Sequence, residues 1–430
     1  MTDSTEQTIL CIASFFKGND FMRECKENGA HVVLLTREKL LGADWARDSI
    51  DDLVAIPGKT SVQSYLTAAT HVARQRRVTH VVALEEYDIV TAAHLREHLS
   101  VAGMGATAAR CFQDKLAMRA RAHDLGIPQP DFVPLLNFEA IAEFMRRTSA
   151  PWMLKPRIGA SAMGIRKLEE ADAVWSTIAE LDEREAFHER AAFHLLERFI
   201  PGDVYHVDSL VAGGQILFAN VERYGAPPFD VSHFGGVNLS HTAKRGSKVQ
   251  RQLLALNKKL LQGFGFERGV THAEFIHRTD AEETAGTRIL KSDERTYAAS
   301  KSNQFYFLEV AARVGGAYTT ETIAAATGVN PWREWARIEL SRPERPYSLS
   351  PMRQEYGGIA VSLARQEYPC TSSYTDPEIV YRVNKPWHVG LIVRSPDYDR
   401  VIELLTQYTR RFSEEFMAVA PPEEKPELRA

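Results

Sequence analysis

The sequence is short of several features that would place it quickly. Its four cysteines (Cys11, Cys25, Cys111 and Cys370) stand far apart and form no C-x-x-C pair, which argues against a zinc site or a disulfide framework. No G-x-G-x-x-G follows the first apolar run, and no G-K-[ST] completes a Walker A loop, so neither a dinucleotide fingerprint nor a P-loop is present. No apolar run approaches transmembrane length, and the first residues, M-T-D-S-T-E-Q, are polar and acidic. No repeat of solenoid period is evident. Net charge is only −4, from 52 basic and 56 acidic residues, so nothing at the whole-chain level points to nucleic acid or another polyanion. The expectation is a cytoplasmic, reduced protein with no nucleic-acid or membrane partner.

What is present is a globular composition, 44% hydrophobic and 25% charged over 430 residues, long enough for two or three domains. The first hundred residues alternate strand-like runs (Ile9–Ser14, His31–Thr36, Asp52–Ile56, His80–Leu84) with helical stretches, among them about Val62–Arg76 and Ile89–Leu99. That alternation predicts a parallel sheet with right-handed crossovers, a half-Rossmann unit. A helix over Asp114–Asp124, with Lys115 near its start, is stopped by Gly126 and by Pro128 and Pro130. A strand at Trp152–Lys155 then runs into the small-residue turn Pro156–Gly164, where backbone N–H groups can approach an anion beside the Lys155 ammonium.

Three apolar strands each carry an isolated carboxylate: Glu197 in Leu195–Ile200, Glu274 in Val270–Phe275 and Glu309 in Phe307–Gly316. Burying a carboxylate is costly unless it is paired or binds a metal. With a period of two, His272, Glu274 and Ile276 share one face of their strand. Phe307, Glu309, Ala311 and Arg313 share one face of the other, with Tyr306, Leu308 and Val310 opposite. Two carboxylates on strands that could be neighbours suggest a hard-cation site, and Arg313 an anion beside it. His206 and Asp208 fall on one face of a further strand, Val204–Leu210. Polar residues 280–303 read as a surface hairpin or mobile insertion, and the acidic, proline-containing end, from about residue 420, as disordered.

The ordered set Lys115, G-I-P-x-P, Lys155 with its small-residue loop, E-R-F-I-P-G, H-A-E-F and L-E-V-A-A-R-V-G-G resembles the ATP-grasp superfamily. Within it the chain is most similar to the carboxylate–amine ligases of the L-amino-acid ligase and carnosine-synthase-like group. The resemblance runs from about Ile9 to Glu339. It implies an ATP-grasp fold: an N-terminal Rossmann-like pre-ATP-grasp domain over 1–112, an ATP-grasp domain over 113–345 and a C-terminal region over 346–430. The second of these would combine a small lid subdomain at about 130–200 with a central antiparallel sheet. It also implies ATP as cofactor with one or two Mg²⁺ ions, Mn²⁺ being a substitute. Lys115 and Lys155 then match the lysines on the ATP phosphates, and Gly159–Gly164, with Ser161 and Gly164, matches the flexible cover. Glu197 with the backbone of Arg198 and Ile200 matches the adenine hinge, with Leu308 beneath the ring. Glu274 and Glu309 match the metal ligands, and Arg313 the arginine that stabilises charge on the reacting groups. Asp203 or His206 would meet the ribose.

One departure is Ala311, where many members carry a metal-binding asparagine, which leaves the metal count open. The resemblance implies a ligase that joins a carboxylate and an amine, both amino acids, through an acyl phosphate. A homodimer is compatible with it. Two alternatives are a bicarbonate-activating carboxylase, for which the sequence has no A-M-K-M biotinylation motif, and a non-catalytic ATP-binding module. Residue by residue, plainer explanations exist. Lys115 reads as a solvated helix lysine, Glu197 as an arginine's partner, Glu274 and Glu309 as structural ion pairs with Arg313, and His272 as a satisfied buried histidine. Selectivity is expected around Tyr224–Asn238 and His241–Lys248.

Overall fold

The computed structural model describes residues 7–58, 61–278 and 304–418. The expected hairpin at 280–303 and the tail from about residue 420 lie outside the described residues. Three sheets follow one another along the chain. The first is parallel, with β1 (Thr8–Ala13), β2 (His31–Arg37), β3 (Asp52–Ile56) and β4 (His80–Ala83) in the order β3-β2-β1-β4. β1, β2 and β4 are apolar and buried on both sides because helices cover both faces, while β3 is a half-exposed edge. Leu10 and Ile12 pack with Tyr65, Ala69 and Ile89, while Ile9 and Cys11 pack with Phe21, Met22 and Trp335.

The second sheet is small and antiparallel: β5 (Phe132–Pro134), β6 (Trp152–Pro156), β7 (Arg166–Leu168) and β8 (His194–Arg198), ordered β5-β8-β6-β7. It has its own core, in which Ile141, Phe144, Leu154, Ile178 and Leu196 meet.

The third sheet holds eight antiparallel strands. They are β9 (Asp203–Ala212), β10 (Gln215–Tyr224), β11 (Asn238–Thr242), β12 (Gly269–Arg278), β13 (Gln304–Ala311), β14 (Tyr356–Leu363), β15 (Ile379–Arg382) and β16 (His388–Ser395). Their order is β13-β12-β9-β10-β11-β14-β16-β15. The C-terminal strands therefore continue the central sheet through the β11–β14 pairing. Phe275, Phe307 and Val310 of this sheet belong to the same core as Leu10 and Val33 of the first. That shared core brings the segment after β4 within hydrogen-bond reach of the loop after β13. No helix among the described residues is long and apolar enough to cross a membrane.

Candidate functional site

The two acidic strands are antiparallel neighbours, and Glu274 stands opposite Glu309. β12 behaves as its alternation predicts: Ala273 and Phe275 enter the core, while Glu274 and Ile276 face a cleft. β13 does not. Phe307 pairs with Phe275 and Glu309 with Glu274, so Leu308 is an extra residue, a β-bulge. The bulge turns Leu308 and Glu309 together onto the cleft while Phe307 and Val310 both go into the core. This corrects the face assignment that strict alternation gives. Arg313 shares no strand face with Glu309 either, because β13 ends at Ala311 and Arg313 sits in the loop beyond.

Each anion at the site is met by a cation. Lys115 opens the helix Lys115–Asp124, capped by the Asp114 carboxylate, which accepts the Leu116 N–H at 3.0 Å. Its ammonium lies 2.9 Å from Glu309 Oε2 and donates to the Gly159 carbonyl at 2.7 Å. Burial would depress the Lys115 pKa, but Glu309 and Glu86 outweigh it and hold it above the ordinary value. One helical turn on, Arg119 Nε donates to Glu197 Oε1 at 2.6 Å, and Lys155 Nζ stands 2.6 Å from the other oxygen. Glu197 is 1% exposed. Burial alone would raise its carboxyl; Arg119 and Lys155 bring it down to about 2. Its carboxylate is thus spent between two cations, as the plainer reading expected. Arg313 donates through Nη2 to Glu86 Oε2 at 2.8 Å.

The cleft lies between the small sheet and the central sheet and holds about 1090 Å³ of open space. Met153, Phe199, Ile200, Ile276 and Leu308 give it apolar walls, and Lys115, Lys155, Glu274 and Glu309 a charged end. Arg198, Ile200 and Ser161 line it as well. The turn Gly159–Gly164 edges it with Ser161, Ala162 and Gly164 all left-handed, at φ of 57°, 57° and 70°. Such backbone costs about 1–3 kcal/mol for each non-glycine residue, and the turn is held by the Met163 N–H on the Ala160 carbonyl at 3.2 Å and the Ile165 N–H on the Ala162 carbonyl at 3.3 Å.

No family model matches the chain. Over 266 residues it is 26% identical to an L-arginine-specific L-amino acid ligase of Bacillus subtilis, covering 61% of this chain and 58% of that protein. The chain thus spans less than two thirds of the relative it matches. The crystal structure of an L-amino acid ligase from Bacillus licheniformis superposes with a TM-score of 0.71 at 13% identity, covering 97% of this chain and 99% of the other. The biotin carboxylase domain of Hydrogenobacter thermophilus 2-oxoglutarate carboxylase, solved with MgADP, ADP and bicarbonate, gives 0.65 at 16% identity, with 95% and 90% covered. The fold is ATP-grasp.

Beneath the cleft of this ATP-grasp fold runs a buried polar network on adjacent strands. Asp208 accepts from His206 Nδ1 at 2.6 Å with one oxygen and from His272 Nδ1 at 2.9 Å with the other. Three such groups within 4.8 Å resemble a metal-binding set. Both Nδ1 atoms, however, carry the protons that bond Asp208, so the cluster is satisfied internally. His206 Nε2 shares a further hydrogen bond with Ser240 Oγ at 3.0 Å, and Ser240 donates to Glu222 Oε2 at 2.8 Å. The network supports Glu274, whose Oε1 accepts from the Tyr224 hydroxyl at 3.0 Å and lies 3.5 Å from His272 Nε2. Burial would raise the Glu274 carboxyl, but His272 holds it at about 2. Burial would likewise lower His272, yet Asp208 raises it to about 9. His272 is a buried histidine satisfied by Asp208, as its plainer reading held, and it stands beside Glu274.

Neither ribose candidate lines the cleft. His206 is fully buried and engaged on both ring nitrogens, and Asp203 pairs with Arg223 at 2.9 Å. Of the expected selectivity stretch, Pro227, Pro228, Phe229 and Asp230 reach the cleft, at the start of the helix Pro228–Phe234. Sequence reasoning missed Arg119, whose i+4 spacing from Lys115 was a usable signal. It also missed Glu86, for which no local pattern existed.

Proposed function

We propose that this chain is an ATP-dependent carboxylate–amine ligase that joins two amino-acid substrates through an acyl phosphate, releasing ADP and phosphate. One observation carries the reading. Paired carboxylates on adjacent strands, Glu274 opposite Glu309, share a single cleft end with Lys115 and Lys155, and Arg313 follows in the loop after β13. The likeness to L-amino acid ligases supports the substrate class. The three sheets support a division near 1–112, 113–345 and 346–430, with the strands of the last part built into the central sheet.

In this reading the adenine lies between Leu308 and the apolar walls, against the backbone of Arg198 and Ile200. Lys115, Lys155 and the turn bearing Ser161 and Gly164 hold the phosphates. The donor set fits a hard cation: Glu309 already carries a cation, the Lys115 ammonium at 2.9 Å, and Glu274 is ionised beside it. Magnesium bound by Glu274 and Glu309 would withdraw charge from the phosphoryl group. The same side chains neutralise one another, Lys115 on Glu309 and Lys155 on Glu197; a bound nucleotide would bring phosphate to the lysines, and a metal ion would take the place of Lys115 on Glu309.

A carboxylate oxygen is a poor leaving group. Transfer of the γ-phosphoryl forms a bond from that oxygen to phosphorus and breaks the bond to ADP. The amine then attacks the acyl carbon, the C–O bond to phosphate breaks, and the ammonium proton is lost. Arg313 stabilises the phosphoryl charge in the first step and the oxyanion in the second, while the lysines position the triphosphate. The test is ADP and phosphate release with magnesium across single and paired amino acids, with bicarbonate as a separate arm. Release that needs both a carboxylate and an amine supports the reading. Release driven by bicarbonate alone replaces it.

A further inference from the structure

Glu86 belongs neither to the acidic strand pair nor to the helix bearing Lys115. It follows β4 of the parallel sheet, in a run whose consecutive side chains tie together the segment after β1, the turn at Ala160 and the loop after β13. Glu85 meets Lys17 at 2.7 Å, the Tyr87 hydroxyl accepts the Ala160 N–H at 3.2 Å, and Asp88 accepts the Ser14 N–H at 2.7 Å. Between them Glu86 takes Arg313. Nε at 3.2 Å and Nη2 at 2.8 Å both donate to Glu86 Oε2, and Nη1 donates to the Val314 carbonyl at 3.1 Å. These bonds leave two of the five guanidinium N–H groups for an anion.

Arg313 needs such a partner. It lies past the end of β13, so strand register does not direct its side chain. The loop backbone is pinned by buried Val314 and by Gly315, where a Cβ would come within 2.9 Å of Asp208 Oδ1. Neither contact constrains a long, flexible arginine side chain. Glu86 is 2% exposed and Arg313 8%, so water screens the pair little.

We propose that Glu86 is a positioning residue that fixes the Arg313 guanidinium toward the reacting groups, which brings the parallel sheet into the reaction without touching substrate. The inference rests on the ligase reading above. A residue that acts through another loses its effect when the other is gone, and a double-mutant cycle reads this directly. Glu86→Gln is expected to lower kcat by about 10–100-fold, the usual cost of losing an outer-shell partner. The KM for ATP should stay within about twofold. Added to Arg313→Ala, the same substitution should change kcat by less than about twofold. Glu86→Asp keeps the charge but retracts the carboxylate. It should lose an intermediate amount at near-native Tm, and it serves if Glu86→Gln does not fold. Independently of turnover, hydrogen exchange at Arg313 Nε–H, identified by its loss in Arg313→Ala, should quicken by at least about tenfold in Glu86→Gln or Glu86→Asp. Full multiplicative loss in the double variant overturns the proposal. So does a raised amino-acid KM at unchanged kcat, which would make Glu86 a substrate contact, or unchanged Nε–H exchange. Absence of ADP release from the wild type would instead defeat the ligase reading, and the exchange measurement would still decide whether Glu86 holds Arg313.

Discussion

Replacing Glu197 by glutamine should destabilise the protein by about 3–5 kcal/mol, the cost of breaking a buried charge pair from one side. The structure explains the size. Arg119 is 0% exposed and its Nε bonds Glu197 at 2.6 Å. Its Nη1 and Nη2 make no hydrogen bond among the described residues, and its other neighbour is the Phe307 ring at 5.5 Å. Without the carboxylate, the buried guanidinium keeps no side-chain hydrogen-bond partner among the described residues. The pH behaviour points in the same direction. The folded pKa of about 2 lies below the ordinary 4.5, so the stabilisation is present above about pH 4.5 and is lost as pH falls toward 2. Thermal unfolding at pH 7 should show Tm lowered by about 6–20 °C, at 2–4 °C per kcal/mol. Adding Arg119→Met to the variant should recover part of the loss by removing the stranded charge. A Glu197→Gln protein that melts within about 2 °C of wild type, with the same acid slope, would refute the reasoning.

Arg313→Ala should lower kcat by about 10²–10³-fold while the KM for ATP holds, as expected for a group that works on developing charge; a change in ATP KM alone would contradict this. Glu309→Gln should cut magnesium-dependent ADP formation by about 10²-fold or more, read against a magnesium titration, and wild-type metal dependence in the variant would remove Glu309 from the metal site. Glu222, buried beneath the cleft, has its carboxyl raised by burial to about 7. Its contribution to stability is complete below about pH 4.5 and is lost as pH rises through about 7. Glu222→Gln should therefore flatten the Tm–pH curve between about pH 5 and 8, and identical curves would count against that assignment.

Much of this was legible in the sequence because the signals were local. Asp52–Ile56 and Ile89–Leu99 form the elements their apolar spacing predicts, residue for residue. Lys115, Lys155, Glu274 and Glu309 converge as their order implied, because each sits on or beside a regular element. What escaped was non-local or irregular. The bulge at Leu308 is set by pairing with β12, and no property of β13 alone announces it. Glu86 meets Arg313 across 227 positions of sequence, which only the shared core of the first and third sheets explains. The resemblance offered His206, with Asp203 as the alternative, for the ribose, but Asp208 and Ser240 absorb both ring nitrogens of His206. A two-residue face pattern cannot show which strands will cover it.

Activation of a carboxylate by phosphorylation is the step on which the proposed ligase chemistry depends. The most direct measurement uses a carboxylate substrate labelled with ¹⁸O in both oxygens, turned over with ATP, magnesium and the amine. Each phosphate released should carry one labelled oxygen, drawn from the carboxylate. Unlabelled phosphate, formed while both labelled oxygens remain on the recovered acid, would contradict that chemistry.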